Sequence, residues 1–151
     1  EPLIATSSLQ ALAELVVQTR DALCTLVRPL KESERQVPHV VKAVVAVDGR
    51  ALYFSRADLP FRREDAAPPE RWAHLGLYGF QREVLLRLAS LPPSPLELSE
   101  GLEQLRALEA GIPIRVAKVP EGHAGVDTPE DLLRISLQLT TSPAAGRAEG
   151  S

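Results

Sequence analysis

The 151-residue sequence contains no methionine, a single cysteine and only three lysines. Each scarcity carries information. A chain without methionine that opens Glu1-Pro2-Leu3 is expected to continue a segment upstream. The lone Cys24 can form no internal disulfide and belongs to no Cys/His metal spacing. Its apolar neighbours, Leu23 to Val27, suit a buried, inert thiol rather than a nucleophile. No run of 18 or more apolar residues exists, so no transmembrane helix is expected. No basic stretch followed by an apolar one opens the chain, so no secretion signal is visible, although a start further upstream would hide one. The arginines are scattered rather than striped with aromatics, and the net charge is -3, which argues against a nucleic acid polymer as partner. A single Arg fork can still hold a small carboxylate or phosphate. With 44% hydrophobic and 25% charged residues, the remainder is an ordinary folded chain with the length of one domain.

What is present reads as mixed helices and strands. Leu9, Leu12, Ala13, Val16 and Val17 recur at helical spacing, which predicts a helix over 7–18 capped by Thr6, Ser7 or Ser8. A strand over 22–28 ends at Pro29, and a charged loop follows from Lys31 to Gln36. The β-branched run 37–47 reads as a strand with Pro38 at its entry, where a missing amide matters least. Asp48-Gly49 then turns the chain into the apolar stretch Ala51 to Phe54, a hairpin signal. Residues 57–71 read as a loop and 72–80 as a strand, in which Gly76 and Gly79 mark either a bulge or a ligand lying close to the backbone. Helices are expected over 81–90, over 100–110 with Ser99 as cap and Gly111 at its end, and over 129–139 after Thr128, with a strand over 112–119. Residues 140–151 are small and polar, as in a frayed tail. This order implies an α/β fold of three layers around a mixed sheet.

Four segments are candidate sites, and each also has a purely structural explanation. Asp127, between a strand end and a helix start, could ligate Mg2+; Thr128, Pro129 and the acidic residues after them equally read as plain helix-start chemistry. Arg56, at the end of a hairpin strand, could clamp a carboxylate or could be a solvated strand end. His74 and Tyr78 would share one strand face with Gly76 leaving room between them, which makes either a small polar pocket or two satisfied core residues. Glu100, Glu103, Gln104 and Ala107 would share one helix face, suited to sugar hydroxyls or simply to solvent. Among the 151 residues there is no Gly-rich phosphate loop and no nucleophile elbow.

Four blocks together carry a resemblance. Ala51-Leu52-Tyr53-Phe54-Ser55-Arg56, His74-Leu75-Gly76-Leu77-Tyr78-Gly79-Phe80, Leu102-Glu103-Gln104-Leu105-Arg106 and Gly125-Val126-Asp127-Thr128-Pro129-Glu130-Asp131-Leu132 occur in the order and rough spacing of the 3-deoxy-manno-octulosonate cytidylyltransferases, or CMP-Kdo synthetases. The likeness runs from Glu1 to about Leu137. It implies a nucleotide-diphospho-sugar transferase-like fold, and transfer of CMP from CTP to the anomeric hydroxyl of the sugar acid Kdo with release of pyrophosphate, for lipopolysaccharide biosynthesis. It further implies Mg2+ as cofactor, CTP and Kdo as partners, a homodimer when complete, no membrane, and a cytoplasmic location. In such an in-line attack, positioning and charge neutralisation do most of the work. By the same resemblance Asp127 matches a Mg2+ aspartate, while Arg56, His74, Tyr78, Glu100, Glu103 and Gln104 fall in segments lining the sugar-acid side. Residues 1–139 would then be the sugar-acid and metal part of the domain, with 140–151 as a disordered tail.

The family's basic phosphate loop and its Gly-Asp-Glu-Pro metal segment have no counterpart here beyond Glu1-Pro2, which match the end of the latter. The chain is therefore expected to be truncated at its N-terminus, inactive alone, and left with an open sheet edge. Two other readings stay open: an enzyme activating another sugar acid such as a sialic acid, and a non-catalytic sugar-acid-binding or dimerisation module. The intact Tyr-Phe-Ser-Arg and Leu-Glu-Gln-Leu-Arg blocks favour Kdo.

Overall fold

A computed structural model describes residues 4–20, 22–65, 67, 69–122, 132, 133, 136 and 137. The chain divides into two compact units, Thr6–Gly122 and a second made of Glu1–Ala5 with His123–Ser151. In the second, Leu132, Leu133, Ser136 and Leu137 are helical, within the helix expected over 129–139. Asp127, His123 and the expected tail over 140–151 lie outside the described residues.

The first unit runs α1 (Thr6–Gln18), β1 (Leu23–Pro29), β2 (Lys42–Val45), β3 (Ala51–Ser55), β4 (Trp72–Gly79), α2 (Arg82–Ala89), α3 (Pro95–Glu100), α4 (Gln104–Glu109) and β5 (Ile114–Lys118). The strands form one sheet in the order β3-β2-β4-β1-β5, in which β1 and β5 are parallel and all other pairs antiparallel. The sheet is therefore mixed, as the sequence implies. On one side β4 pairs with β1; on the other it meets β2 only at Trp72 and Ala73, with one further bond from His74 N–H to Val41 O at 2.8 Å. Among the described residues the rest of that edge is open.

Both sheet faces are covered, which makes three layers. Alternation along β1 sends Leu23, Thr25 and Val27 to one face and Cys24 and Leu26 to the other. The first face packs with Phe54 of β3, Val84 and Leu88 of α2, Leu105 and Ala107 of α4, and Ile114 and Val116 of β5. The second face is covered by α1 through Leu12, with Leu15 and Val16 partly buried beside it. The buried stripe of α1 thus runs through Ser8, Leu12, Leu15 and Val16, leaving Leu9 and Val17 exposed, a rotation from the stripe expected from spacing. Gly79 accounts for the closeness: a Cβ there would stand 2.3 Å from Val16 Cγ2.

Three expectations are corrected. The strand predicted over 37–47 is only β2, because residues 37–40 close a turn, with Val40 N–H donating to Val37 O at 3.1 Å. The helix predicted over 100–110 is two helices. Ser94, not Ser99, precedes the first of them, with Pro95 at its first position and Glu97 Oε2 accepting from Ser94 N–H at 3.0 Å. Gly101 then ends α3 at φ 62°, the left-handed conformation that glycine adopts without a Cβ clash. The two glycines of β4 also part company. Gly76 lies in a bulge, since Thr25 and Leu26 face Tyr78 and Leu75, leaving Gly76 and Leu77 unmatched. Gly79 marks the close approach of a helix.

Candidate functional site

The two extra residues of the bulge preserve the alternation of β4. His74 opposes Val27, and Tyr78 opposes Thr25, so both aromatic side chains emerge on the face that carries α2 and α4. Their ring centroids lie 5.5 Å apart, and Phe54 meets His74 edge-on at 4.8 Å. Tyr78 borders a cavity of about 260 Å³ that is also lined by Leu23, Phe80, Leu88, Glu103 and Gln104. Burial lowers the His74 pKa from 6.5 to about 4, so the imidazole is neutral at physiological pH. Burial, with the Glu103 carboxylate adding to it, raises the Tyr78 phenol above its ordinary value and keeps it protonated, a hydrogen-bond donor.

Gln104 starts α4 and is 5% exposed. Among the described residues its Nε2 is buried without a hydrogen-bond partner. Native proteins seldom leave such a donor idle, because desolvating it without a partner costs about 1–3 kcal/mol. Glu103, one residue earlier, points outward with its side chain 73% exposed. The polar helix face expected for Glu100, Glu103, Gln104 and Ala107 therefore does not exist: α3 ends at Glu100, and Gln104 and Ala107 turn into the core.

Arg56 and Glu100 meet elsewhere, where β3 ends against the C-terminus of α3. Glu100 Oε1 accepts from Ser55 Oγ at 2.6 Å and Oε2 from Arg56 N–H at 3.1 Å. The Arg56 guanidinium donates to three carbonyls, of Glu100 at 2.7 Å, Pro38 at 3.1 Å and Gly101 at 3.3 Å. The structure thus gathers Tyr78, Glu103 and Gln104 at one cavity, with the His74 ring beside Tyr78, and ties Arg56 to Glu100 in a separate knot. Among the described residues no group of three or more His, Cys, Asp or Glu could hold a metal ion. Asp58 serves arginines instead: it takes Arg35 at 2.6 Å and Arg71 at 2.5 Å, and these hold its pKa below the usual range.

Two buried polar residues of this region escape a reading by motif. Thr25 is fully buried in β1 and reaches His74. Lys42 is fully buried, and its ammonium donates to Val37 O at 2.7 Å and Arg56 O at 2.9 Å. The available signal was one polar residue inside an otherwise apolar strand, since such a residue must find partners when it is buried.

The structure defines a three-layer α/β domain with a mixed sheet and, on one face, a cavity lined by Tyr78, Phe80, Glu103 and Gln104 among others. A family profile described as Cytidylyltransferase matches residues 1–117, and the chain belongs to this family. It is 55% identical over 139 residues to a 3-deoxy-manno-octulosonate cytidylyltransferase of Myxococcus xanthus (strain DK1622), covering 92% of this chain and 56% of that protein. A protein of the same name from Acidobacterium capsulatum is 48% identical over 139 residues, covering 92% of this chain and 57% of that protein. The fold matches a solved CMP:2-keto-3-deoxy-manno-octonic acid synthetase complexed with CTP, at a TM-score of 0.84 and 34% identity, covering 93% of this chain and 58% of that one. The chain thus spans somewhat more than half the length of these relatives. No helix among the described residues is long and apolar enough to cross a membrane.

Proposed function

We propose that this chain forms the sugar-acid-binding part of a cytidylyltransferase that moves CMP from CTP to Kdo and releases pyrophosphate. The observation that carries the reading is the cavity that Gln104 lines with Tyr78 and Glu103, Gln104 being a residue whose buried Nε2 has no hydrogen-bond partner among the described residues. A sugar acid offers what such a site lacks: a carboxylate or hydroxyl to accept from the amide, and hydroxyls for the other groups. Gln104 and the protonated Tyr78 donate, neutral His74 accepts, and Glu103 takes hydroxyls at the rim. The apolar floor of Leu23, Phe80 and Leu88 excludes water beneath them, which strengthens each polar contact. Arg56, whose three guanidinium hydrogen bonds go to carbonyls, keeps its charge for an anionic group, and Glu100 fixes the backbone that presents it.

The names of the relatives support Kdo as the acceptor, and the CTP bound to the solved relative supports the donor. Supply of Kdo to lipopolysaccharide, a homodimer and a cytoplasmic location belong to the same reading through the family. So does Mg2+, which we assign to Asp127; when bound it would neutralise phosphate charge.

The test is pyrophosphate release by the gene product that carries this chain, with CTP and either Kdo or a sialic acid. Turnover with Kdo and not with the sialic acid is expected. Turnover with the sialic acid alone, or with neither, would contradict the reading.

A further inference from the structure

The geometry points to Thr25 as a positioning residue that fixes the tautomer of His74, so that the imidazole meets a ligand only as an acceptor, through Nδ1. The inference rests on the placement of His74 in the sugar-acid site proposed above. Its basis is the fully buried hydroxyl of Thr25, which sits against the bulge of β4. Thr25 Oγ1 lies 2.8 Å from Leu77 O, 3.2 Å from Leu75 O and 2.9 Å from His74 Nε2.

A hydroxyl has one proton to give and two lone pairs to receive with. Both carbonyl oxygens are acceptors only, so neither can face a lone pair of Thr25 without repulsion. The single proton must therefore go to the carbonyls. That leaves Oγ1 to accept from His74, which places the imidazole proton on Nε2 and the lone pair on Nδ1. Among the described residues Nδ1 has no hydrogen-bond partner. The lowered pKa of His74 agrees with this, since a protonated ring would need acceptors at both nitrogens.

The ring is also fixed in orientation. Phe54 meets it edge-on, and Tyr78 lies on the cavity side. The bulge brings the arrangement about. With two extra residues in β4, the carbonyls of Leu75 and Leu77 both converge on one threonine hydroxyl. A polyol suits an acceptor held in this way, because its hydroxyls can donate without a change in the protonation of the protein.

The experiment reads the 15N ring resonances of His74 in the gene product that carries this chain, for the wild type, Thr25→Val and Thr25→Ser. The wild type should show the Nε2–H tautomer. Thr25→Val should shift the pattern to a mixture or to Nδ1–H, and Thr25→Ser should restore it. A wild-type ring protonated on Nδ1, or a pattern unmoved by Thr25→Val in a folded variant, overturns the inference; if Thr25→Val does not fold, the wild-type and serine spectra decide it. In the gene product that carries this chain, Thr25→Val should raise KM for Kdo by roughly tenfold, the equivalent of one misdirected hydrogen bond, with KM for CTP unchanged. The expected tautomer shift with no change in KM for Kdo would instead overturn the placement of His74 in the sugar-acid site, and with it the ligand role inferred for Nδ1.

Discussion

Glu100 Oε1 accepts the hydroxyl proton of Ser55 at 2.6 Å, and so the last residue of α3 fastens the last residue of β3. Ser55 is 3% exposed, so its hydroxyl has little water to turn to if the carboxylate is removed. Glu100→Ala should therefore destabilise the chain by about 1–3 kcal/mol, the cost of a stranded buried donor. Glu100→Gln keeps an acceptor oxygen and should lose less. Urea midpoints of the two variants measure this, and an alanine variant as stable as the wild type would contradict the role.

Lys42 makes a related tie from inside the sheet, joining Val37 O to Arg56 O. Lys42→Met keeps the stem and removes both donors. It should cost about 1–3 kcal/mol for each carbonyl left unpaired and raise hydrogen exchange at 56–58. Unchanged exchange there would show that the ammonium does not hold the Arg56 turn.

Gly79 sets the distance between α1 and the sheet. Gly79→Ala drives a methyl group to 2.3 Å from Val16 Cγ2 and should cost about 1–3 kcal/mol by overpacking. Val16→Ala removes the opposing atom. The double variant should then be more stable than the sum of the single effects predicts, a coupling that urea melts of the four proteins measure directly. Additive effects would place the strain elsewhere.

His74 gives the stability a pH signature. Its folded pKa of about 4 lies below the unfolded 6.5, so between these values the unfolded chain binds the extra proton. Stability from this group is complete above pH 6.5 and declines as pH falls towards 4, at up to about 1.4 kcal/mol per pH unit. His74→Gln should flatten that part of the profile. Equal slopes for the variant and the wild type over this range would contradict the burial of a neutral imidazole.

Much of the fold was legible because its signals are local. The Asp48-Gly49 hairpin, the mixed order of elements and the gathering of His74 and Tyr78 on one face all follow from turn chemistry and alternation. The face of His74 and Tyr78 survives only because the bulge inserts two residues; an insertion of one would have sent them to opposite sides. What was not legible depends on partners distant in sequence. Nothing near Gly101 announces that it would split one helix into two, since Gly111 offers the same residue at an equally plausible end. Glu100 reads as a sugar ligand until its carboxylate is seen on Ser55. Thr25 carries no motif, and its importance comes from two carbonyls fifty residues away in the chain.

The central claim is that Gln104 Nε2 is kept unpaired for a sugar acid. Gln104→Leu removes the idle amide at nearly constant volume. Because a buried donor without a partner is a cost, the variant chain should be at least as stable as the wild type. The decisive measurement is steady-state pyrophosphate release by the gene product that carries this chain. KM for Kdo should rise by roughly tenfold or more while KM for CTP stays unchanged, the loss expected for one buried hydrogen bond to an acidic ligand. An unaltered KM for Kdo in the folded variant would contradict the assignment of this cavity.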